Sequence, residues 1–209
     1  MTSERLPEKV HESSAGALKM VYYVIIGLAI TEGLQRTFVI DGSFIGLQCF
    51  KQENLKRFFL LFALVCTICR FVHGASLHLD TIPKKRYKPI IDFIGFFLQG
   101  SFFYLMSLSL YNTKAFSLFL SLVLSFDAIW LILLVAMKME KLSSTIKQWL
   151  GSDIIIIFLL VLLNLTMDCI WTPLSILIIS IVAAVLDYYL NRDYYFPRFS
   201  LSPNERDER

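Results

Sequence analysis

The chain has 209 residues, of which 56% are hydrophobic and only 18% charged, with a net charge of +3. Soluble domains carry about 45–50% apolar and about 25% charged residues, so a water-soluble globular fold is excluded. The small positive excess is dispersed and makes no basic face of the kind nucleic acid requires. The apolar residues fall in long runs, and the run 154–163 (IIIIFLLVLL) does not alternate as a transmembrane β-strand would. The expected fold is therefore all-α: a polytopic integral membrane protein with about six transmembrane helices.

Residues 1–17 are mostly polar and contain Pro7, which predicts a flexible tail without a cleavable leader. A helical bundle is expected over 18–196, and a second polar tail over 197–209. The first span covers about 18–40 and carries Glu32 and Arg36, spaced i and i+4 so that they can neutralise each other. The glycine-rich stretch that follows, with Cys49, is too short to cross and is expected to lie at the interface. Cys49 and Cys169 fall on one side of the membrane, where a disulfide is geometrically conceivable.

The second span, 57–79, is the distinctive one. Arg70 within it disfavours insertion by roughly 2.5–3.5 kcal/mol. Twelve Leu, Ile, Phe and Val side chains between Phe58 and Leu79 oppose that cost, at about −0.3 to −0.6 kcal/mol each. The segment inserts with little to spare, so Arg70 and His73 must face protein or water rather than lipid. Cys66 and Cys69 form a C-x-x-C spacing in an apolar helix, where core packing is expected rather than thiolate chemistry.

A basic loop, with Lys84, Lys85, Arg86 and Lys88, leads to the third span at 89–111, which contains Asp92 and Gln99. The fourth span, 114–137, contains Asp127. A connector over 138–152 carries Trp149, a residue suited to the membrane interface. The fifth span is placed at 153–171, with Asn164 and Asp168. Thr172 and Pro173 turn the chain into the sixth, 174–190, which ends in Asp187 and an aromatic band.

Lys and Arg set the orientation. Fourteen lie in the tails, the 80–88 loop and the 138–152 connector, against four on the other side, which places both termini in the cytoplasm. The second and fourth spans then run the same way, and Arg70 and Asp127 each lie thirteen residues in, roughly 20 Å deep. Asp127 is the expected partner of Arg70. Asp92 and Asp187 fall near the inner boundary, where solvation is expected. Glu32, Arg36, Arg70, His73, Asp127, Asn164 and Asp168 are the candidate buried polar set. Such residues either lock helices together or line a pathway.

No nucleophile elbow, H-E-x-x-H or phosphate loop occurs, so neither catalysis nor a metal or other cofactor is expected. A lipid-directed site built from His73, His78, Asp80 and Asp92 is the weaker enzymatic alternative. The bilayer is the first expected partner, in a bacterial inner membrane or a eukaryotic endomembrane. Six short helices bury few side chains around one axis, so a homo-oligomer is expected. The leading functional expectation is a channel, pore or transporter-like protein using the buried column. The rival is an accessory or effector subunit whose basic loop docks a cytoplasmic protein, for example in a bacterial stress or antiviral system.

Overall fold

In the computed structural model, residues 5–40, 42–45, 51–81, 89–137, 143–166 and 171–196 are described. Among them α1 spans Arg5–Phe38, α2 Gln52–Thr81, α3 Pro89–Leu108, α4 Thr113–Ala136, α5 Ser144–Thr166 and α6 Thr172–Leu190. A short α7, Arg192–Tyr195, is the last element among the described residues. Strands β1 (Val39–Ile40) and β2 (Ser43–Phe44) form a two-rung antiparallel hairpin with Gly42 at φ +75° in its turn, a backbone position that favours glycine. The six longer helices are each long and apolar enough to cross a membrane. The even number of crossings puts the start of α1 and the end of α7 on one face, called the terminal face below.

Helix starts follow local chemistry. The Asn112 side chain accepts a hydrogen bond from the Ala115 N–H at 3.1 Å and caps α4. Pro173 lies in the first turn of α6, where a missing N–H costs nothing. Thr172–Pro173 therefore opens a helix rather than only turning the chain. The helix starts that differ most from the sequence expectation are those of α1 and α5. Helix α1 is described from Arg5, within the stretch expected to be a flexible tail, and Pro7 falls in its first described turn, where proline is tolerated. Helix α5 begins at Ser144, not Asp153, because Ser143 Oγ accepts from the Ile146 N–H at 3.2 Å and caps it well before the apolar run. That early start matters for the site.

Helix α2 is central, packing on α1, α3 and α6, while α4 joins α3 to α5. Leu60, Leu64, Phe103, Met106, Phe116, Leu120, Leu124, Leu160 and Ile176 form the sealed core. Large apolar side chains such as Ile129, Phe158, Leu165 and Val185 point outward instead, as lipid-facing positions do. Helices α1 and α3 approach closely at Gly100, where an added Cβ would sit 2.7 Å from Ile25 Cγ2; small residues permit such contacts between membrane helices. Hydroxyls within the spans bond back to their own helix, as Thr37 does to Gly33 O and Thr67 to Ala63 O, each at 2.8 Å.

Candidate functional site

Arg70 is buried, with 6% of its surface exposed. Its Nη2 donates to Asp153 Oδ1 at 2.7 Å and to Ser152 Oγ at 2.9 Å, and its Nε donates to Asp187 Oδ2 at 3.2 Å. Asp187 also accepts from Trp149 Nε1 at 2.6 Å, Asn191 Nδ2 at 2.8 Å and the Tyr195 hydroxyl at 2.8 Å. Helices α2, α5, α6 and α7 therefore meet at one guanidinium and one carboxylate. A buried ion pair recovers its desolvation cost, several kcal/mol per ion, only when further hydrogen bonds satisfy both partners. Asp187 receives them from Trp149, Asn191 and Tyr195, whereas Asp153 Oδ2 has no hydrogen-bond partner. Burial and the neighbouring Asp187 carboxylate raise the Tyr195 phenol well above its usual range, so it stays a donor.

The expected Arg70–Asp127 pair is not the bonded one. Asp127 Oδ1 accepts from Gln99 Nε2 at 3.2 Å, and Gln99 Oε1 accepts from the Tyr22 hydroxyl at 2.7 Å. Arg70 turns to Asp153 and Asp187 for a geometric reason. Starting α5 at Ser144 carries Asp153 nine residues into the helix, about 13 Å from its start, level with Arg70. Asp127 stays within electrostatic range of both Arg70 and Asp153. The depth estimate for Asp127 thus agrees with its position, while the partner was misassigned. Asp187 and Asp92, expected to be solvated, are 3% and 0% exposed. Asp92 faces His78 Nε2 at 3.4 Å.

The other candidates do not join this cluster. Glu32 binds Arg36 at 2.6 Å, as their spacing predicts, and Arg36 and Arg57 both lie over the Tyr111 ring, at 5.7 and 4.0 Å from its centre. That layer lies toward the opposite face, beyond the apolar core. His73 Nδ1 meets the Tyr188 hydroxyl at 3.1 Å, and its ring packs on Tyr195 at 4.6 Å, inside an aromatic cluster rather than a polar column. Asn164 Nδ2 donates to Ser117 Oγ at 2.8 Å and fastens α5 to α4. Cys66 and Cys69 are free, and Cys69 is exposed rather than packed in the core. Asp168, Cys49, Cys169 and the basic residues Lys84, Lys85, Arg86 and Lys88 lie outside the described residues.

A cavity of about 110 Å³ adjoins this cluster, and its lining includes Ser143, Thr145, Tyr194 and Tyr195 from the terminal-face ends of α5 and α7. Arg70, Gln99, Asp127 and Asp187 form its polar end, and Phe96, Phe126, Trp130, Trp149, Tyr194 and Tyr195 are among its walls. On the far side of Arg70 lies a small void of about 10 Å³ bordered by Thr67, Leu124 and Ser180, the space of one water. Beyond it the core is closed. Asp153, Asp187, Trp149, Gln99 and Tyr22 were not singled out as site residues from sequence. Trp149, Ser152 and Asp153, spaced i, i+3 and i+4, share one helical face, a signal hidden by placing that stretch in a connector.

The arrangement can bind a polar group at the end of an aromatic-walled recess, and its carboxyl groups can hold a proton. No family model matches the chain, and neither a curated protein nor a solved structure matches it.

Proposed function

We propose that this six-span membrane protein is a small proton-linked carrier, with the Arg70 cluster as its gate and the cavity as its loading chamber. The observation that carries this reading is one-sided access. The recess is lined from the terminal-face ends of α5 and α7, at Ser143, Thr145 and Tyr194, to Arg70 and Asp127, and past that level Leu60, Leu64, Phe103 and Leu124 are buried in the core. The antiparallel run of the helices supports it. The same layer lies before Arg70 on α2, after Gln99 on α3 and before Asp127 on α4. A site near mid-membrane open to one side is the arrangement of an alternating-access carrier in one of its states. A continuous pore is disfavoured because the Glu32–Arg36 layer is cut off from Arg70 by that core.

Three carboxyl groups around one guanidinium give the carrier its proton. Asp153 Oδ2 is buried without a hydrogen-bond partner and Asp127 is its acidic neighbour, so a proton held by that pair would satisfy the orphan oxygen. The test is proton uptake by proteoliposomes loaded with a pH-sensitive dye, under an imposed pH gradient and a clamped potential. Wild type is expected to acidify the lumen several-fold faster than protein-free vesicles, and Asp127→Asn is expected to return the rate to that background. Folded wild-type protein no faster than protein-free vesicles would remove the carrier reading.

A further inference from the structure

The charge around the cavity is unbalanced. Arg70 has committed Nε and Nη2 to Asp187 and Asp153, and Asp187 takes hydrogen bonds from four donors. Asp153 is fully buried and is not part of the cavity wall. Asp127 is the wall acid that accepts no hydrogen bond from a cation: Gln99 donates to it and the buried Asp153 lies beside it. With every acid ionised, one guanidinium faces three carboxylates, an excess that a low-dielectric interior does not hold uncompensated. The compensating charge has to be positive.

The walls describe what kind of positive charge fits. Phe126 and Trp130 stack at 6.1 Å with an interplanar angle of 20°. The Trp130 indole lies so close on the α3 backbone that a Cβ at Gly95 would sit 2.6 Å from it. Tyr194 of α7 packs edge to face on both Trp149 of α5 and Tyr195. Aromatic surfaces beside one carboxylate recognise organic ammonium groups through cation–π attraction. Among the described residues no three His, Cys, Asp or Glu side chains are placed to hold a metal ion, and a surplus of acid over base disfavours an anion.

We infer that the cavity binds a small organic monocation, an amine or quaternary ammonium head, with Asp127 as its counter-ion and the aromatic walls as its box. The assignment names the substrate class of the proposed carrier and rests on that reading. The cation and the proton are alternative ways to compensate Asp127, so they compete. The charged or titratable groups facing Asp127 are Arg70 on α2, Asp153 on α5 and Asp187 on α6. Tyr22 on α1 reaches it through Gln99 on α3, and His78 of α2 with Tyr194 and Tyr195 of α7 complete the titratable lining.

The experiment titrates detergent-solubilised protein with tert-butylammonium and with tert-butanol, probes of matching shape and different charge. Quenching of Trp130 and Trp149 fluorescence and the shift in melting temperature are read together. Tert-butylammonium is expected to bind at least about tenfold more tightly than tert-butanol, and to lose up to about tenfold in affinity per pH unit once protons occupy the site. Asp127→Asn should abolish the preference for the ammonium, while Asp127→Glu should keep it. If Asp127→Asn does not fold, Trp130→Leu supplies the second reading, weakening the ammonium and sparing the alcohol. Equal binding of the two probes, no ammonium binding at 100 mM, or a preference surviving both substitutions would overturn the inference. Proton flux without ammonium preference would sink this assignment alone, whereas ammonium binding without flux would sink the carrier.

Discussion

Arg70→Met is expected to destabilise the fold by about 3–5 kcal/mol, read as a large fall in melting temperature in detergent. The substitution keeps most of the side-chain volume but strands Asp153 and Asp187, both nearly inaccessible, without the guanidinium that bonds them. The cost should therefore depend on the acids left behind. Adding Asp153→Asn to Arg70→Met is expected to restore part of the loss, because one buried charge disappears with its counter-charge. A double-mutant cycle isolates that coupling. Arg70→Met within about 0.5 kcal/mol of wild type would match an exposed position and would refute the burial of this cluster.

The second large effect is expected from Asp187→Leu. It removes the acceptor for Arg70, Trp149, Asn191 and Tyr195 at once, and each unsatisfied buried donor costs about 1–3 kcal/mol. Water entering from the cavity can rescue Trp149 and Tyr195, so the net loss is expected near 3–5 kcal/mol. Because α7 is held through Tyr195 and Asn191, tryptic cleavage at Arg192 should accelerate together with the loss of stability. A pH signature accompanies it. The folded Tyr195 phenol titrates above its unfolded value of 10.0, so its contribution is complete below that pH and is lost as pH rises beyond it. Wild type should loosen there and Asp187→Leu should not. Unchanged cleavage at Arg192 would show that Asp187 does not anchor α7.

The spans were legible because twenty-residue apolar runs have few alternatives in a lipid solvent. The burial of Arg70 was legible for the same reason, since a guanidinium facing acyl chains would not insert. Its partners were harder to read. Depth along a helix was estimated from where each apolar run begins, and α5 starts earlier, at the Ser143 cap, so Asp153 was set at the membrane surface when it lies about 13 Å inside the helix. Asp187 was assigned to solvent by its place near a span end, although the turn at Asn191 folds Tyr195 back over it. Glu32 and Arg36 were readable because an i,i+4 pair is local. His73, one turn from Arg70, meets Tyr188 and Tyr195, neighbours that could not be read because helical spacing fixes a face but not which neighbour fills it.

A charged layer reached from one side only distinguishes a carrier from a continuous pore. Leu131 and Leu124 lie seven residues apart on one face of α4; Leu131 lines the cavity and Leu124 belongs to the closed core. In a variant lacking the four native cysteines, Leu131→Cys and Leu124→Cys are to be probed in oriented vesicles with a membrane-impermeant, trimethylammonium-bearing thiol reagent. The expected result is rapid reaction at position 131 from the terminal face alone and none at position 124 from either side. Reaction at 124 as fast as at 131, or access to 131 only from the opposite face, would contradict it.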